Sequence, residues 1–236
     1  MSFWVKYLLY VPKKPVYMQD LVHFLKQQTT FIFDFDGVLA DSVEIKTEAF
    51  AILFQPFGDD VVQKVVAHHR QHGGVNRYDK IRHYYANYLG HELSDQELTE
   101  QAQRFSRLVV DKVVAAPEIA GASEFLNTYS AQKCCFVNSA TPHAELLEIL
   151  ERRGWAAYFK GVFGAPTSKG KNLQQIFADY SINPDECLFF GDSTSDLAAA
   201  QGAGVPFVGV NLLPVFSQDQ LDGITCKIDS FQSITS

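Results

Sequence analysis

Apolar residues follow two alternating patterns along this chain. In short stretches they run almost unbroken, as in 31–35, 133–139, 161–164, 187–192, 205–210 and 223–228. Such runs predict strands covered on both faces. Elsewhere they recur every three or four positions, as with Ile45, Ala49, Ile52 and Leu53, which predict a helix over 44–54. Residues 59–70 and 76–90 repeat that pattern, with the breaker HGGVN between them. Ser94 with Glu97 forms a capping box that opens a long helix to about residue 116, and Pro117 ends it. Residues 43–117 are therefore helical throughout.

From 121 onward, helices and strands alternate. Helices are predicted over 121–130, 142–153, 169–180 and 194–202. Thr141 is read as the cap of the second, with Pro142 at its first position, and Ser168 as the cap of the third. Strands alternating with helices imply an α/β fold with a doubly wound, mainly parallel sheet. The core comes from two pieces, 1–42 and 118–236, and a helical insert, 43–117, separates them.

Composition alters this picture little. The 236 residues suffice for one sizeable core, aromatic content is generous with 19 Phe, and the net charge of −7 argues against a nucleic-acid partner. No apolar run is long enough to predict a membrane span. Residues 1–17 lack a basic start before their apolar part and read as retained, with Met18 as an alternative start. Cys134, Cys135, Cys187 and Cys226 have no metal-ligand spacing and read as reduced thiols of a cytoplasmic protein.

The polar residues that matter close the strands. Asp34 and Asp36 interrupt the run FIFDFDG, and alternation along a strand points them to one side. Two carboxylates that close need a cation or a shared proton. Gly37 permits a sharp turn and a close approach to a ligand. Ser139 ends the second run, where its hydroxyl either holds a phosphate or helps to cap the next helix; Asn138 and Ala140 flank it. Lys169 stands at a helix start, a misplaced cation unless an anion binds there, and Lys171 is its rival. Asp192 ends the fourth run, and Asp196 lies four residues on.

Taken together, the run Asp34-Phe35-Asp36-Gly37, Ser139, Lys169 and Gly191-Asp192 with Asp196 resemble the four ordered motifs of the haloacid dehalogenase superfamily. Gly170 stands where many relatives have proline. The resemblance implies a Rossmann-like core with a helical cap over 43–117, closest in look to phosphoglycolate-phosphatase-like members. It further implies a Mg²⁺-dependent phosphatase acting on a small phosphorylated metabolite. Asp34 would be the nucleophile and Asp36 the acid and base. Ser139 and Lys169 would hold the transferring group. Mg²⁺ would take carboxylate oxygens of Asp34 and Asp192 and the backbone carbonyl of Asp36, with Asp196 direct or through water. Asp36 favours ester hydrolysis over dehalogenation or phosphonate cleavage. A phosphosugar mutase and a non-catalytic binding relative are the alternatives.

Substrate choice should then lie in the insert. The segment 67–85 holds His68, His69, His72 and His83 with Arg70, Arg77, Lys80 and Arg82, against the single acid Asp79. Arg77 or Lys80 would bind a second anionic group beside a loop at Gly73 and Gly74, or the cluster is only a solvated helix face.

Overall fold

A computed structural model describes residues 18–212 and 214–235, so the reading of residues 1–17 lies outside the described residues. Six parallel strands form one sheet: β1 Thr30–Phe33, β2 Cys134–Pro142, β3 Gly161–Ala165, β4 Cys187–Gly191, β5 Phe207–Val210 and β6 Cys226–Ile228. Their spatial order is β3-β2-β1-β4-β5-β6. The chain builds outward from β1 in one direction through β3, then returns to its other side at β4. The carboxyl end of β1 is thus the switch point of the sheet, where ligands bind in open α/β folds.

Alternation along the strands feeds two hydrophobic layers. Phe31, Phe33, Val137 and Phe190 pack on one face with Phe125 and Phe231. Ile32, Phe136, Phe189 and Phe207 pack on the other with Leu173 and Leu197. Both layers are aromatic: the Phe33 and Phe190 rings stack 4.9 Å apart. This two-sided burial is why the strands read as unbroken apolar runs.

Helices α1 Met18–Gln27, α6 Ala122–Tyr129, α7 His143–Arg152, α8 Lys169–Tyr180 and α9 Thr194–Gly202 accompany the sheet, with the short α10 Gln218–Asp222 and α11 Gln232–Thr235. Between β1 and β2 lie α2 Val43–Phe54, α3 Asp59–Gln71, α4 Arg77–Leu89 and α5 Asp95–Ala115. Phe50, Phe54, Tyr84 and Phe105 pack at their centre, with Phe50 and Phe105 rings 4.4 Å apart. The capping box of Ser94 and Glu97 is formed at the start of α5.

Three local expectations are corrected. β1 ends at Phe33, so Asp34 and Asp36 lie beyond it rather than on it. The amides of Leu39 and Ala40 both bond back to the Phe35 carbonyl, which curls the chain there. β2 in turn runs past Ser139 to Pro142, through a register shift against β3. Helix α7 starts one residue later at His143, and Thr141 does not cap it.

Candidate active site

Three strand ends converge at the switch point. Gly37 has φ +79, and a Cβ there would meet Asp192 Oδ2 at 2.2 Å. Glycine is thus what lets the turn after β1 press against the acid after β4. Gly37 does this from beneath and does not line the cavity above. Asp34 and Asp36 diverge across the turn. Asp34 accepts the Phe35 amide at 2.7 Å and ion-pairs with Lys169 Nζ at 2.8 Å.

Asp34, Asp192 and Asp196 place carboxylate oxygens within 4.8 Å of one another, and all three are buried. Burial raises the Asp34 pKa to about 6, with the charges of Asp196 and Asp36 adding to the rise and Lys169 opposing it. Burial, then repulsion from Asp196 and Asp34, holds Asp192 well above the carboxylate range. Lys169 also bonds Asp196 Oδ1 at 2.5 Å. Burial alone would lower its pKa, but the two acids outweigh that and keep it charged. Ser193 donates to Asp196 Oδ2 at 2.6 Å, so both oxygens of Asp196 are already engaged. With all three acids ionised, three negative charges face the one positive charge of Lys169. The surplus of two, on hard oxygen donors only, fits a divalent cation. Lys171 is exposed and faces none of this.

Asp36 has a separate environment. Ser42 donates to its Oδ1 at 2.6 Å, Thr141 to its Oδ2 at 3.0 Å, and Lys46 pairs with the same Oδ2. Burial would raise its pKa, but Lys46 and these hydrogen bonds outweigh burial and hold it below the usual range. Lys46 also bonds Thr141 Oγ1 at 2.7 Å, which explains why Thr141 caps no helix. Lys46 was not anticipated, although it lies on α2 one helical turn after Ser42, the residue that precedes the helix.

Above these groups lies a partly open cavity of about 50 Å³, walled by Asp34, Ser139, Ala140, Lys46, Phe50 and Lys80 among others. The loop after α3 closes it. A Cβ on Gly74 would lie 1.8 Å from Ser195 Oγ, so the loop sits directly on the start of α9. Ser139 Oγ accepts the Thr141 amide at 3.2 Å. Asn138 does not reach the cavity wall. Its amide donates to the Lys169 carbonyl at 3.0 Å and its oxygen accepts from Asn172, so it braces the start of α8.

The basic cluster is not a solvated face. Arg77 and Lys80 are buried, while Arg70 and Arg82 are exposed. Arg77 is not free to hold an anion, because Nη1 donates to Glu145 Oε2 at 2.8 Å and to Ser106 at 2.7 Å, and Nη2 pairs with Glu145 Oε1. His68, His72 and His83 stack on one another away from the cavity, whereas His69 lines it.

A model of the haloacid dehalogenase-like hydrolases matches residues 31–210, which span β1 to β5 and every strand end above. The chain belongs to this family. A phosphoglycolate phosphatase from Pseudomonas savastanoi pv. phaseolicola is 26% identical, over 76% of this chain and 68% of its own. A phosphorylated carbohydrates phosphatase from Thermotoga maritima is also 26% identical, over 74% of this chain and 81% of its own. Among solved structures, a β-phosphoglucomutase from Clostridium difficile shares the fold with a TM-score of 0.69. It is 20% identical, and the match covers 86% of this chain and 91% of that one. As a member of this hydrolase family, the chain is an enzyme of the phosphatase type.

Proposed function

We propose that this enzyme hydrolyses small phosphate monoesters with Mg²⁺ through an aspartyl-phosphate on Asp34. The observation that carries the reading is the buried Asp34–Asp192–Asp196 cluster with Lys169 beneath the cavity. Asp34 and Asp192 would hold the ion with the Asp36 backbone carbonyl, and Asp196, whose oxygens hold Lys169 and Ser193, would act at one remove. The bound ion would supply charge that offsets repulsion between Asp34 and the phosphate.

Asp34 attacks phosphorus in line, and the bond to the leaving oxygen breaks. Lys169 loses part of its partner's charge as Asp34 becomes an acyl group and can then hold a transferring oxygen, with the Ser139 hydroxyl and the Ala140 amide beside it. Asp36 protonates the leaving oxygen and then takes a proton from the water that attacks the phosphorus of the intermediate. The carboxylate form favoured by Lys46 suits the second half, whereas the first needs a proton on Asp36. Lys46 and Thr141 therefore set the balance between the halves.

The test is phosphate release from a panel of small phosphate monoesters. Release should require Mg²⁺ and stop with EDTA; full activity in metal-free buffer would contradict the reading. An isomerised phosphosugar in place of free phosphate would point to the mutase chemistry instead.

A further inference from the structure

Two buried amides stand behind the lysine of the site. Asn138 on β2 is fully buried, and Asn172 on α8 is 2% exposed. Asn138 Nδ2 donates to the Lys169 carbonyl at 3.0 Å, and Asn138 Oδ1 accepts from Asn172 Nδ2 at 3.0 Å. Asn172 Nδ2 also stands 3.5 Å from the Thr167 carbonyl, at the far limit of a hydrogen bond. A carbonyl can only accept, so the Lys169 carbonyl fixes which way the Asn138 amide faces, and that fixes Asn172 in turn. Neighbours on a strand point to opposite sides. Ser139 accordingly lines the cavity while Asn138 meets α8. The amide pair therefore ties the backbone that carries Lys169 to the backbone that carries Ser139.

Local forces hold that turn weakly. Lys169 is the first residue of α8, and the capping side chain of Ser168 accepts the Lys171 amide at a long 3.4 Å. Gly170 follows. Its φ is not left-handed, and among the described residues nothing lies within 4 Å of where a Cβ would stand. Neither sterics nor backbone conformation calls for glycine there, and its freedom leaves the turn looser than alanine would. Yet Lys169 must reach two acids at once, Asp34 at 2.8 Å and Asp196 at 2.5 Å. A lysine side chain is long and flexible, so those distances depend on where its backbone is held.

We propose that Asn138 and Asn172 are positioning residues that hold Lys169 at its working distance from Asp34, in place of the stiffness that Gly170 withholds. The inference rests on the phosphatase reading, in which Lys169 holds a transferring oxygen. It adds two residues that touch neither substrate nor metal. A buried amide pair suits this role, since loss of either partner leaves the other unsatisfied.

The experiment measures kcat and KM per folded molecule for a hydrolysed monoester with Mg²⁺ in Asn172→Ala. Alanine is the better helix former, so a loss comes from the missing amide and not from a weaker helix. kcat should fall by roughly 10- to 100-fold with KM little changed, the order expected when a catalytic group is misplaced by about 1 Å. Added to Lys169→Ala, Asn172→Ala should lower kcat no further, because it acts through a side chain already removed. Added to Gly170→Ala, which should itself stay near wild type, it should cost much less, because alanine supplies the missing stiffness. Asn138→Ala removes the other partner; it should show the same pattern, and it serves if Asn172→Ala does not fold.

A lower melting temperature with kcat per folded molecule unchanged would mark a merely structural pair and overturn the proposal. So would a loss that persists undiminished in the Lys169→Ala or the Gly170→Ala background. If no ester turns over, the phosphatase reading fails, and labelling with acetic anhydride, read by mass spectrometry, still reports where Lys169 is held. Lys171 should label in every variant. Lys169 should be protected in the wild type and label in Asn172→Ala; protection in both would overturn the proposal.

Discussion

At the scale of single residues, the two lysines near the start of α8 separate cleanly. Lys169 is buried 2.8 Å from Asp34, and Lys171 is exposed. Lys169→Ala should lower kcat by about 10²- to 10³-fold, the order of a lost contact to a developing charge. Lys171→Ala should stay near wild type, and comparing kcat of the two variants checks this. Lys46 makes a second prediction. It is the main influence holding the Asp36 pKa down against burial. Without it burial wins, the carboxylate form is lost at higher pH, and the acidic limb of the kcat–pH profile should move upward in Lys46→Met. An unmoved limb would show that Lys46 does not govern Asp36. Asp34, Asp36, Ser139 and Asp192 were legible in the sequence because each interrupts or closes an apolar run, where an unpaired polar group is costly. Lys46 and His69 were not. A lysine or histidine on an amphipathic helix looks the same locally whether it meets solvent or a carboxylate brought in by the fold.

At the scale of elements, Arg77 on α4 and Glu145 on α7 join the helical insert to the sheet layer, with Ser106 on α5 between them. Both charges are buried. Arg77→Ala leaves Glu145 without its partner and should cost about 3–5 kcal/mol of stability. Glu145→Ala should cost about as much. Replacing both by apolar residues of similar size should cost much less than the sum. Thermal unfolding of the three variants checks this, and a double variant as damaged as the sum would contradict it. The element pattern of the fold was largely readable, because α/β alternation and the capping box at Ser94 act locally. The extension of β2 to Pro142 was not, since pairing with β3 decides it. The ending of β1 at Phe33 was also hidden, because the hydrogen bonds that curl the chain come from Leu39 and Ala40.

At the scale of the whole molecule, the acid cluster makes stability depend on metal and pH together. Asp34 titrates in the folded protein at about 6, against an ordinary value of 3.8, and Asp192 is raised in the same direction. Groups raised on folding favour the folded state below their unfolded pKa, and that gain is lost as pH rises through the folded value. Without metal, these two acids should therefore make the protein melt a few degrees higher near pH 5 than near pH 7.5. Excess Mg²⁺ should raise the melting temperature most at pH 7.5 and so flatten that difference. A difference unchanged by metal would contradict the assignment of the cluster as a cation site.

The central claim is a covalent bond between Asp34 and the phosphoryl group. Borohydride reduces an acyl phosphate to an alcohol, which would turn that aspartate into homoserine. The protein should be treated during turnover of a hydrolysed monoester with Mg²⁺, digested and read by mass spectrometry. Homoserine at position 34, dependent on both substrate and metal, is the predicted result. Steady turnover without homoserine at that position, or with the label on Asp36 or Asp192, would contradict the account.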